Sequence, residues 1–308
     1  MLRVAPFRGD QVAAGVVVLT ALVVLLQVRM GWSAEAHLAY LLAAVTGAGV
    51  LVAGCPREPR PYVSAIVTSG LVLLALVLGR LGQVLGVDGP VGGAGALTGK
   101  LVILGLTAAG LARAYDAAAA TLVAGLALAF APLAFVSWVA DPSAGVQRGL
   151  LLVTALGLAL AATGERDRRP THAAQLANAG GIALAAIGSG PLLTSVIGAV
   201  GGLFFFGGAD PVGWGWELPM LVGGFGLLAY GAVDRQRGPV IVGLVVLASF
   251  VATAAGDGRG TLLGWPLVLA AAGALMLGVG LRPTTPAPPE PLAGDDAPPP
   301  PPAPLPLR

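Results

Sequence analysis

Residues 173–207 read AAQLANAGGIALAAIGSGPLLTSVIGAVGGLFFFG, a run of thirty-five residues without one charged side chain. As one continuous helix it would extend about 52 Å, at 1.5 Å per residue. That is far more than the roughly 30 Å hydrocarbon core of a bilayer takes up by ordinary tilt. The chain must therefore break, and Gly188-Ser189-Gly190-Pro191 is the place. Proline removes a backbone donor and disfavours helix in the residue before it. Either two halves form a hairpin, giving the whole chain eleven spans, or they cross once together, giving ten. Everything C-terminal to the break takes its orientation from that choice.

The question arises because lipid is the expected solvent. Only 10% of the 308 residues are charged and 56% are hydrophobic, with mean hydropathy +0.87. A soluble domain carries roughly 25% charged residues to cover its exterior. The 47 glycines suit helices that pack closely in a membrane, where small residues let backbones approach. Apolar runs of helix length lie near 12–28, 38–54, 62–79, 97–113, 118–138, 149–164, 217–233, 239–255 and 263–281. They are separated by turn-forming stretches such as CPREPRP, GVDGP, ADPSAG, ERDRRP, DRQRGP and DGRG. The first run follows a basic start and precedes Ala34-Glu35-Ala36, which resembles a leader cleavage site. It is long enough to span and is followed at once by Arg29 and a second run, so it reads as a retained first helix.

The distribution of positive charge decides between ten and eleven spans. With ten, and the N-terminus inside, 12 of the 17 Lys and Arg residues fall on the inner side and 5 on the outer. With eleven the division is 9 against 8. Ten spans, with both termini cytoplasmic in the plasma membrane, is the expectation. Trp32, Trp138, Trp214, Trp216 and Trp265 all fall at outer ends in this threading, at headgroup level where the indole ring is favoured. The fold class expected is therefore all-α: a polytopic transmembrane bundle over 1–281, with the segment at 173–207 crossing once as a broken helix. After it, 282–308 holds 12 prolines in 27 residues and reads as a disordered, partly polyproline tail able to dock a protein partner.

A parallel internal repeat is visible. GAGVLVAGCPREPRPYV (47–63) aligns without gaps on GFGLLAYGAVDRQRGPV (224–240), and a similar alignment sets Asp116 on Asp234. Biased composition inflates such matches, and convergence on a common membrane hairpin explains them as well.

Composition excludes several functions. The net charge of +2 comes from scattered arginines, which argues against a nucleic-acid partner. One cysteine, Cys55, and two distant histidines, His37 outside and His172 inside, form no metal-ligand cluster. No P-loop, HExxH or recognisable Ser/His pairing is present, so neither a catalytic constellation nor a cofactor is expected. Asp88, Asp141, Asp210 and Asp257 sit beside turn formers, which explains them.

The residues that could line a path are few. Lys100 lies a few positions inside the fourth run, where snorkelling to the outer headgroups accounts for it. Asp116 reads as an interfacial partner of Arg113, and Glu217 as a carboxylate at the start of a helix, complementing its dipole. The seventh segment is the most polar: Gln175 and Asn178 share a helical face, and Ser189, Gly190, Pro191, Thr194 and Ser195 make up or follow its break. Broken helices expose backbone groups that can coordinate ions or polar solutes. Two readings follow. One is a secondary transporter or permease-like protein for a small, weakly charged or apolar solute. The other is a non-catalytic membrane scaffold or complex subunit that docks through 282–308. Membrane lipid is a partner in both.

Overall fold

The computed structural model describes residues 9–56, 60–86, 93–188 and 214–256. Within them the chain is helical, without a strand. The helices are α1 (Gly9–Arg29), α2 (Ala34–Ala53), α3 (Pro61–Val84), α4 (Ala94–Tyr115), α5 (Ala118–Val139), α6 (Ala144–Glu165), α7 (Pro170–Gly188), α8 (Trp214–Val233) and α9 (Arg237–Gly256). The span expected at 263–281, the tail 282–308, and Ser189, Gly190, Pro191, Thr194 and Ser195 lie outside the described residues.

Seven of these helices, α1 to α6 and α8, are long and apolar enough to cross a membrane. Their outward faces carry large apolar side chains, among them Leu106, Leu128, Val153, Leu160 and Val222, each at least 60% exposed. In water this much exposed apolar surface would drive association, whereas lipid leaves it without penalty. The chain is accordingly a helical protein built for a membrane.

Successive helices run up and down. Gly9 of α1 lies against Tyr62 of α3, and Gln27 near the end of α1 meets Arg80 near the end of α3, so those two helices run in parallel. One end of the bundle gathers Trp32, Trp138 and Trp216. The other gathers Arg60, Arg113, Arg166, Arg168, Arg169, Arg235 and Arg237.

The break expected at Gly188-Ser189-Gly190-Pro191 reaches beyond the described residues, and the described part of α7 runs to Gly188. It crosses the unit in nineteen residues, and thirteen of them are buried. Its neighbours surround it. Ala179 faces Gly125 of α5, and Gly180 faces the Ala155 carbonyl of α6. Gly181 faces Leu227 of α8 and Val242 of α9. Gly188 meets Met220 near the start of α8 and Thr253 near the end of α9. α7 is therefore antiparallel to α8 and parallel to α9. Sheathed by α5, α6, α8 and α9, α7 can carry Gln175 and Asn178 within its length without turning them to lipid.

Candidate functional site

Two polar groups stand on α7, and a third straps its N-terminal end. The first is a chain of three side chains at the arginine end. Helix α4 closes on Asp116 in the left-handed region (φ 50°), and α5 begins two residues later. This tight turn sets the Asp116 carboxylate against His172 in the first turn of α7, Oδ1 to Nε2 2.9 Å. The other ring nitrogen, Nδ1, is 2.6 Å from Thr121 Oγ1 in the first turn of α5. An ionised carboxylate only accepts, so Nε2 carries a proton, and in the neutral ring Nδ1 accepts from the Thr121 hydroxyl. His172 and Thr121 are buried, while the Asp116 side chain is 39% exposed and opens the chain to the bundle's end. The order carboxylate, imidazole, hydroxyl can pass a proton or polarise the hydroxyl.

Asp116 does not pair with Arg113 as the sequence suggests. The cation near it is Arg169, Nε to Oδ1 4.0 Å. The left-handed backbone at residue 116 turns the carboxylate away from its own helix and onto α7. Sequence reasoning set both Asp116 and His172 on the inner side but did not join them. Their shared side was the available signal.

The second group lies two turns along α7. Asn178 Nδ2 donates to Gln175 Oε1 at 3.3 Å, the same-face pairing that the spacing predicts. Asn178 is buried, and its Oδ1 has no hydrogen-bond partner among the described residues. It stands against Gly238 at the start of α9, where a Cβ would be 2.7 Å from Asn178 Nδ2. A larger residue there would have to displace the amide.

The connection between α6 and α7 ties these parts to α8. Arg166 grips Asp234, just past the end of α8, through two nitrogens, with Nε to Oδ2 at 3.0 Å, and its guanidinium lies over the Tyr230 ring at 5.6 Å. The hydrogen bonds and the charge of Asp234 push the Arg166 guanidinium further above its ordinary range. Residues 166–172 thus reach both Asp116 and Asp234, the two turn aspartates that the repeat alignment sets on each other.

Other sequence expectations resolve differently. The Lys100 ammonium packs on α3, 2.9 Å from where a Cβ on Gly82 would stand. It belongs to the interface of α3 and α4 at the tryptophan end and does not join Gln175 and Asn178. Glu217 is in the first turn of α8 at the tryptophan end, as expected, and is buried there. Cys55 is buried beside the end of α2, and burial pushes its thiol above the ordinary value. His37, at the tryptophan end, is buried between Trp32 and Tyr40, each with its ring centroid 5.8 Å away. Nearby Arg80 donates to Gln27 and Gln83 at 2.9 and 2.7 Å. Sequence reasoning did not find this second polar cluster.

No protein family, curated protein or solved structure matches this chain.

Proposed function

We propose that this protein is a multi-pass permease-like or secondary transport protein for a small, weakly charged or apolar solute, with α7 lining the route. In this reading the arginine end faces the cytoplasm, both termini are cytoplasmic, ten segments cross the plasma membrane, and no enzymatic step is involved. The observation that carries it is the placement of Gln175 and Asn178 on the innermost helix, with a buried amide oxygen left unbonded within the described residues. A buried polar atom costs free energy unless it is satisfied. On the central helix of a bundle, a passing solute or water is a natural partner for it.

The test is cysteine accessibility. In a Cys55→Ala background, single cysteines at Gln175 or Asn178 should react with a small hydrophilic thiol reagent in sealed vesicles. If they react only after denaturation, no aqueous route reaches α7 and the transport reading fails. Orientation is tested separately with reporter fusions after Arg169 and after Arg237, which should both report cytoplasm.

The scaffold reading draws on one observation, the tight packing around α7. A Cβ on Gly181 or Gly188 would stand 2.5 or 2.3 Å from neighbouring side chains. A helix held this closely suits a static core, with docking through 282–308, and it predicts loss of a partner when that tail is removed.

A further inference from the structure

We propose that the turn between α8 and α9 is a binding site for the headgroup of an anionic phospholipid. A groove of about 370 Å³ opens there, lined by Gly231, Arg235, Gln236, Arg237, Val240 and Ile241. Its lining holds two arginines and no acid. The neighbouring carboxylate, Asp234, is engaged by Arg166, so it does not neutralise them. Arg235 and Arg237 are both exposed, and neither has a salt-bridge partner among the described residues.

The backbone adds a second, independent observation. Helix α8 ends in a Schellman-type turn: Gln236 N–H donates to the Gly231 carbonyl at 2.9 Å, and Arg235 takes the left-handed position at φ 54°. Glycine is the usual residue there, and an L side chain is disfavoured. An arginine held in that conformation presents its guanidinium at the groove at a cost to the turn.

The groove also spans the two chemistries of a phospholipid. Arg235 and Arg237 stand at the end of the bundle, at headgroup level. Ile241, one turn into α9 and part of the groove's lining, is 61% exposed, with Val240 beside it. The phosphate meets the guanidinium pair, which forms charge-assisted bonds, and an acyl chain lies along the apolar face of α9 at Val240 and Ile241. The occupant is thus a membrane lipid and not a soluble anion, which would leave that face unused. This inference stands whether or not the protein transports anything.

The test uses the full chain, purified in a neutral detergent, with binding of phosphatidylglycerol and phosphatidylcholine read by native mass spectrometry. Phosphatidylglycerol should bind preferentially. The double variant Arg235→Gln/Arg237→Gln should weaken it about tenfold. A charge-matched control at the same end, Arg113→Gln/Arg168→Gln, should change it less than about twofold. Equal losses in both doubles would mean diffuse attraction and would overturn the site. Displacement of the lipid by millimolar inorganic phosphate alone would overturn the lipid as occupant. Arg235→Gly guards against a folding artefact, because it relieves the left-handed strain. It should melt no lower than the parent protein without lipid and still lose phosphatidylglycerol. Unchanged lipid binding in Arg235→Gly would also refute the proposal.

Discussion

A close approach between the backbones of α8 and α9 gives the sharpest mechanical prediction. Gly243 of α9 packs on α8 so tightly that a Cβ would stand 2.9 Å from the Gly224 carbonyl oxygen and 3.1 Å from both the Leu228 nitrogen and Leu227 Cβ. Ordinary contact begins at 3.4 Å. Two of the three obstacles are backbone, which no rotamer change can move. In Gly243→Ala the helices must therefore part by about half an ångström at this level, and forcing one methyl into a full interior costs about 1–3 kcal/mol. Thermal unfolding in one fixed detergent, followed by tryptophan fluorescence, should register a fall of about 2–4 °C per kcal/mol. Gly226→Ala is the matched control. It lies on the exposed side of α8 with no atom within 4 Å of its Cβ position, so it should be neutral or, through helix propensity, up to about 1 kcal/mol more stable. If Gly243→Ala melts as high as Gly226→Ala, the two helices do not meet through these glycines and the packing described for α8 and α9 is wrong.

Further outcomes follow from the side-chain chemistry. Thr121→Val should cost about 1–3 kcal/mol in the same assay, because it leaves a buried imidazole nitrogen without its partner. Thr121→Ser keeps the hydroxyl and should stay near the parent protein, and equal behaviour of the two would remove the Thr121–His172 bond from the account. Asp234→Asn should change stability little, since the Arg166 guanidinium is 43% exposed and water screens the pair; a loss as large as that of Thr121→Val in denaturant titration would contradict that. Cys55 should alkylate more slowly than free cysteine at neutral pH, because its raised thiol value leaves less thiolate. Its rate should go on rising with pH beyond the point where the free thiol levels off. A rate curve matching free cysteine would show that the thiol is not buried.

The sequence carried the solvent, and with it the class of fold. A chain with so few charges and such long apolar runs has to be wrapped in lipid, and the punctuation at CPREPRP, ERDRRP and DRQRGP coincides with the turns after α2, α6 and α8. What hydropathy could not convey was which helix lies next to which, since it reports the medium around a helix and not its neighbours. The side chains of residues 170–188 did carry the clue. A span that carries Gln175 and Asn178 within its length is best shielded from lipid, and α7 is. The Asp116–His172–Thr121 chain escaped for a related reason. Its members are separated by up to 56 positions and meet only because α5 packs on α7. The expected Arg113 partner followed from proximity along the chain, which the left-handed backbone at Asp116 overrides.

The strap formed by residues 166–172 has a mechanical corollary. It fastens the α4–α5 hairpin through Asp116 and the α8–α9 hairpin through Asp234 at one end of the bundle, like the spine of a book. Pages bound along one edge open at the other. A change of shape that preserves these bonds must splay the helices at the tryptophan end, where Gly188 of α7 meets Met220 and Thr253.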